Sequence, residues 1–300
     1  MSISPVSGLV ARLVAAALWA GAWASLPARA ADDRLLFWET TTPNSTVYLL
    51  GSMHLATRDV YPLRDSIMQA YKQSDKLVVE LDISGANQRL IQRRMVERGT
   101  YPEGKSLEDD LSPETMEALS ARLEANGLPI ERMMGMKPGM VVTTLSTFEM
   151  MKLGLNPDQG IDRYFLKLAR KQKPIVELET VDRQLDAVLD IPSPELAVKQ
   201  TLGQLDDLES LMSQLVDSWK RGDAAALNKL VIEDELARHP EYRELHERMF
   251  DDRNREMTDK ILAMQEQGGT YFVVVGAGHL VGIEGIVAML ERQGQQPKQI

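Results

Sequence analysis

Two histidines in this chain sit in matched surroundings near its opposite ends. The first closes Val47-Tyr48-Leu49-Leu50-Gly51-Ser52-Met53-His54-Leu55, and the second closes Tyr271-Phe272-Val273-Val274-Val275-Gly276-Ala277-Gly278-His279-Leu280. Each is an apolar run, then Gly-x-x-His, then an apolar residue. Imidazole serves as a metal ligand and as a general base. One Gly-x-x-His is short enough to arise by chance; two in the same context point to shared chemistry. Carboxylates stand in comparable places. Glu80 follows Lys76-Leu77-Val78-Val79, and Glu177 and Glu179 follow Pro174-Ile175-Val176. The chain has no cysteine, so a metal here would be held by His and carboxylate alone. That donor set suits Zn, Mn, Co or Fe and leaves a position open for water. The plainer reading of Glu80 is a strand-end carboxylate that caps the next helix.

Runs of β-branched and aromatic residues closed by Gly have the pattern of buried parallel strands. A His just past that Gly lies at the carboxyl end of its strand, where open α/β sheets bind ligands. Strands are expected over 35–41, 46–50, 76–82, 173–180 and 271–275, with the first two forming a hairpin through Pro43-Asn44-Ser45. Between them the pattern turns helical: Pro62–Lys72, most of 85–154, Asp158–Lys171, Asp182–Asp190, longer helices from Pro194 to Gln267, and Gly282–Arg292 with Gly285 inside it. The tail from Gln293 reads as loose. The fold class is therefore α/β, a central mixed or mostly parallel β-sheet flanked by helices, with a largely helical insertion.

Met1 to Ala30 has Arg12, a short apolar core and Pro27-Ala28-Arg29-Ala30, the pattern of a secretory signal cleaved after Ala30. The apolar run is too short for a comfortable membrane span. This places the mature chain in the periplasm or outside the cell, with no stable span after cleavage. Residues 31–300 are expected to form one α/β domain, with the helical insertion at roughly 85–155 and the long helices at roughly 194–267. The net charge of the 300-residue chain is −10, and losing Arg12 and Arg29 makes it more acidic. Such a chain is a poor nucleic-acid binder. A peptide or a small molecule is the expected substrate.

Other candidates have plain explanations. His239 and His246 fall among Glu241, Arg243, Glu244, Glu247 and Arg248 and read as a solvated helix face. Arg253-Asn254 lies in an apolar frame; Arg253 either faces the pocket to hold an anion or joins i,i+4 salt bridges like Asp251 with Arg255, and spacing favours the latter. The Met-rich stretch Met133–Met151 reads first as helical core and second as an adaptable groove.

Taken together, Phe37-Trp38, Gly51-Ser52-Met53-His54, Val78-Val79-Glu80-Leu81, Gly160-Ile161-Asp162, Leu178-Glu179-Thr180, Arg253-Asn254 and Gly276-Ala277-Gly278-His279 resemble the TraB/GumN family, which includes the animal Tiki proteins. The resemblance implies an α/β fold related to the erythromycin esterase and ChaN-like haem-binding groups. It also implies an active site made of both Gly-x-x-His motifs and a Glu. Tiki proteins are metal-dependent proteases that use Mn or Co to trim the amino terminus of Wnt proteins. The implied mechanism has His54, His279 and Glu80 holding a divalent metal (Mn, Co or Zn). Glu179 or Glu177 would be general base, and Arg253, with Asn254 beside it, would face the developing oxyanion. One alternative is a metal-free esterase-like hydrolase with His54 as base oriented by Glu80. Another is a non-enzymatic haem- or metal-binding protein, with the Met-rich helix lining the slot.

Overall fold

The run Tyr271–Val275 is buried on both sides, and it builds the centre of the sheet. The structure, a computed structural model, describes residues 35–170 and 172–300; the signal-like segment lies outside them. Six strands form one sheet: β1 (Phe37–Thr41), β2 (Ser45–Ser52), β3 (Lys76–Val79), β4 (Ile175–Glu177), β5 (Gly269–Gly276) and β6 (Lys298–Gln299), in the order β4-β3-β5-β2-β1-β6. β5 runs parallel to β2, with Val47 opposite Tyr271 and Ser52 opposite Gly276, and parallel to β3, with Leu77 opposite Phe272. β4 is parallel to β3. β1 turns back antiparallel on β2 as the expected hairpin. The fold is α/β with a mixed, mostly parallel sheet flanked by helices.

Successive strand residues face opposite ways, so β5 packs on helices at both faces. Phe272 meets Phe165 (4.8 Å between ring centroids) from the helix Ile161–Ala169 and Tyr71 (5.6 Å) from the helix Asp65–Gln73. Tyr271 turns the other way and donates its hydroxyl to Met264 O, 2.9 Å, in the helix Asp252–Glu266. Among the described residues no helix is long and apolar enough to cross a membrane.

Two expectations are corrected. The tail is not loose: Lys298 and Gln299 pair antiparallel with β1, and Ile300 N donates to Phe37 O at 3.0 Å. The outer edge of β1 offers unpaired backbone groups, and the tail satisfies them. A two-residue strand has no periodicity to read. Gly285 is not inside the last helix but caps it, since the helix runs Ile286–Arg292. A Cβ on Gly285 would stand 2.4 Å from Val281 O, so only glycine permits this close turn.

The segment between β3 and β4 contributes the helices Gly85–Gly99, Pro113–Ala125 and Pro138–Lys152. The last two of these, with the helix Pro194–Asp206, build a second core from Leu107, Leu119, Leu123, Val141, Leu145 and Val198. Met133, Met134 and Met136 pack into it from the turn that precedes the helix Pro138–Lys152, not from within a helix as expected, whereas Met151 is exposed.

Glu195 ties this layer together. It accepts from Ser112 N (3.0 Å), Ser112 Oγ (2.8 Å) and Thr115 Oγ1 (2.6 Å), and Lys199 Nζ lies 2.9 Å away. Burial pushes its carboxyl up, but these bonds outweigh burial and hold it down to about 2, from an ordinary 4.5. The folded value lies below the unfolded one, so the stabilisation is complete above about pH 4.5 and is lost as pH falls toward 2. Glu195→Gln should lower stability by about 1 kcal/mol at pH 7, because water screens a side chain that is one-third exposed. At pH 3 the loss should be less than half as large. Urea denaturation at both values measures the difference.

Candidate functional site

β4, β3, β5 and β2 all run the same way, so their carboxyl ends share one edge of the sheet. Each delivers a side chain there. β2 ends at Ser52 and leads to His54; β5 ends at Gly276 and enters the 3-10 turn Ala277–His279; Glu80 follows β3, and Glu179 follows β4. Residues far apart in sequence thus meet over Gly276. A Cβ added there would stand 3.2 Å from Glu80 Oε1, 3.5 Å from His54 Nε2 and 3.5 Å from His279 Cδ2. His279 Nε2 lies 3.9 Å from Glu80 Oε1. A cleft of about 300 Å³ opens in front of this group, lined by Ser52, His54, Glu80, Thr147, Arg163 and Gln184 among others.

Both imidazoles are oriented through Nδ1. His279 Nδ1 lies 2.6 Å from Asn254 Oδ1, and Asn254 Nδ2 donates to Glu284 O at 2.8 Å. The amide oxygen therefore faces the ring, Nδ1 carries the proton, and Nε2 is left with its lone pair. His54 Nδ1 lies 3.2 Å from Asp162 Oδ1, which leaves its Nε2 toward Gly276. Gly160 makes this approach possible: a Cβ there would stand 2.4 Å from His54 O. Ile161 N, one residue on, donates to Met53 O at 3.0 Å.

Arg253 is the buried cation of the cluster. Nε and Nη2 grip Glu179 at 2.7 and 2.6 Å, Nη2 reaches Glu80 Oε2 at 3.1 Å, and Nη1 donates to Met249 O at 2.9 Å. All three side chains are buried. Glu80 Oε1 also accepts the Gly276 N–H. Burial pushes the Glu80 carboxyl up, but His279, His54, Arg253 and the Gly276 amide outweigh it and hold it at about 2. Burial lowers His279 to about 4 against the pull of Glu80, so it is neutral at pH 7. His54 sits among protein groups yet leaves about half its side chain open to the cleft. There desolvation lowers its pKa, but the Asp162 carboxylate and hydrogen bond, with Glu80, raise it to about 9.

The model of the TraB/PrgY/gumN family matches residues 36–299. The chain belongs to this family. It is similar to "Uncharacterized protein YbaP" of Escherichia coli (strain K12), 27% identical over 253 residues that cover 84% of this chain and 90% of the relative. The YbaP of Shigella flexneri matches to the same extent. An uncharacterized protein of Treponema pallidum (strain Nichols) is 23% identical over 283 residues, covering 90% of this chain and 84% of that one. No solved structure matches the chain significantly.

In this TraB/PrgY/gumN chain the cluster brings together His54, His279, Glu80, Glu179, Arg253 and Asn254. Glu177 is not part of it. It lies exposed at the end of the edge strand β4, where Oε1 accepts from Asp82 N at 2.8 Å and Asn87 Nδ2 at 3.0 Å. Glu80 does not take the capping role weighed for it either, since the helix Gly85–Gly99 has no side-chain cap at Ser84. Arg253 does not join surface salt bridges; Arg255 does, with Asp252 at 2.6 Å. His246 is likewise turned inward, stacked on Phe250 (5.1 Å), which leans on His279 (5.3 Å), while His239 stays on the exposed face. The charged neighbours on which the solvated-face reading rested do not reveal that His246 stacks on Phe250. Among the described residues, no three His, Asp or Glu donors already stand at metal-binding spacing. Two ligands of one tetrahedral ion stand roughly 3.4 Å apart, so the 3.9 Å between His279 and Glu80 is wide. The donor chemistry itself fits an ion, with two outward Nε2 atoms, one carboxylate and an oxygen acceptor behind each imidazole.

Sequence reasoning gave Asp162 no role. The available signal was its place on the apolar face of its helix, in line with Leu166 and Ala169, where an acid needs a reason to be.

Proposed function

We propose that this chain is a metal-dependent hydrolase acting on peptide bonds, with His54, His279 and Glu80 as the residues that would hold the ion. The supporting observation is that Asp162 and Asn254 anchor both Nδ1 atoms and so aim both Nε2 atoms at one point beside Glu80. The resemblance to the Tiki proteases supports the same reading. A bound divalent cation, Mn, Co or Zn, would polarise the scissile carbonyl and acidify water. The chain's own residues do the rest. Arg253 clamps Glu80 so that Oε2 is occupied and Oε1 alone faces the reacting atoms. Oε1 is then the atom that would join the two Nε2 atoms in holding the ion, and the water acidified by that ion would lose its proton to the leaving amine as the C–N bond breaks. Glu179, fully engaged by Arg253, serves as a counter-charge and not as the base. Arg253 has most of its donors committed, which makes it a positioning residue and leaves no oxyanion role for it. In this proposal the Met1–Ala30 segment directs the enzyme to the periplasm or the outside of the cell.

The Asp162–His54 contact favours a second reading without an ion. There a carboxylate-backed imidazole moves the proton, with Asp162 and not Glu80 as its orienting partner. One experiment separates the two. Purified protein is tested on a panel of fluorogenic peptides and on 4-nitrophenyl acetate, before and after chelation, then with Mn²⁺, Co²⁺ or Zn²⁺ restored. The metal reading expects peptide cleavage lost on chelation and recovered with one of the ions. Undiminished cleavage after complete metal removal selects the ion-free reading. No cleavage under any condition overturns both.

A further inference from the structure

We infer that the space in front of Gly276 is the seat of the attacking water and that Ser52 is the residue that positions it. This rests on the hydrolytic reading above. Gly276 has φ −51° and ψ 136°, a conformation any residue adopts, so the backbone does not require glycine here. What glycine leaves is room. A methyl would stand 3.2 Å from Glu80 Oε1 and 3.5 Å from His54 Nε2, and it would collide with any atom lodged between them.

Ser52 lies opposite Gly276 in the parallel ladder. Registered neighbours on parallel strands present their side chains on the same face, with strands about 4.8 Å apart. The Ser52 side chain therefore stands next to the space that Gly276 leaves, and Ser52 lines the same cleft as His54 and Glu80. It is 3% exposed, and its Oγ has no hydrogen-bond partner among the described residues. A buried hydroxyl without a partner is costly and rarely left so. A site for water needs roughly two to four polar partners. Ser52 Oγ and Glu80 Oε1 supply two of them, and His54 Nε2 faces the same space. The Ser52 hydroxyl donates to the water, Glu80 Oε1 accepts one of its hydrogens, and a lone pair is left to attack the carbonyl carbon. The oxygen–carbon bond forms as the carbon–nitrogen bond breaks. One water proton passes to the leaving amine, and the other leaves with the new carboxyl group.

High-resolution crystal structures of the wild type, Ser52→Ala and Gly276→Ala, with kinetics on the best-cleaved peptide of the panel, test this. The wild type should show an ordered water bonded to Ser52 Oγ and Glu80 Oε1. Ser52→Ala should lose it, with kcat down about 30-fold and KM unchanged, and Ser52→Thr should recover most of the rate. Gly276→Ala should keep the fold and fill the space, with no measurable turnover. A dry site in the wild type, an ion seated in that space in place of the oxygen, or an undiminished rate in Ser52→Ala overturns the inference while leaving the hydrolytic reading intact. An ordered water with no peptide cleaved by the wild type instead removes the hydrolytic reading on which the inference rests.

Discussion

Arg253→Met should lower the stability of this protein by about 3–5 kcal/mol, seen as a large drop in the urea midpoint at pH 7.5. The guanidinium is the only cation in contact with both Glu80 and Glu179 among the described residues, and all three side chains are buried. Methionine fills the space but leaves two carboxylates facing each other away from water. Arg253→Lys should recover only part of the loss, since one ammonium cannot reproduce the two-pronged grip on Glu179. The deficit should also depend on pH. Without Arg253 the Glu80 carboxyl rises from about 2 in the folded state, so the folded variant binds protons more readily than the folded wild type. Its deficit against wild type should therefore shrink as pH falls below about 4.5. A loss under about 1 kcal/mol at pH 7.5 would mean that solvent, and not Arg253, neutralises the pair.

His54→Ala and His279→Ala should each reduce kcat/KM on a cleaved peptide by about 10³-fold or more, because each removes one of the two Nε2 atoms at the reacting point. Their stabilities should part company. His279 is buried, and its loss opens a hole and orphans Asn254 Oδ1, so that variant should lose about 2–3 kcal/mol. His54 is half open to the cleft, and its removal should change stability by under about 0.5 kcal/mol. Thermal or urea denaturation of both, beside the kinetics, checks the pair of statements. Equal stability losses would contradict the placement of the two rings.

The parts of this arrangement that could be read in the sequence were those with local signatures. The apolar runs before Gly51 and Gly276 and the acids after Val79 and Val176 marked four strand ends. Parallel strands have to bring such ends to one edge, so the meeting of His54, His279 and Glu80 followed from strand direction. What stayed hidden depends on contacts between distant segments. Glu177 and Glu179 are equivalent in a strand pattern, and only the edge position of β4 sends the first to solvent while Arg253 draws in the second. The inward turn of Arg253 follows a π-helical turn, Glu247–Asp251, that no 3.6-residue count anticipates, and the stacking of His246 on Phe250 leaves no mark among its charged neighbours. Asp162 acts on a ring 108 positions away. The pairing of β6 with β1 involves too few residues to leave a pattern.

The central claim is that two far-separated imidazoles and Glu80 form one ion-holding hydrolytic site. Titration of the metal-stripped wild-type protein with Co²⁺, with bound metal counted by elemental analysis, tests it most directly when His54→Ala, His279→Ala and Glu80→Gln are treated alongside. The expected result is one ion per wild-type chain and weak, substoichiometric binding in all three variants. Stoichiometric binding that survives in His54→Ala and His279→Ala, or a wild type that binds no ion, would contradict the claim.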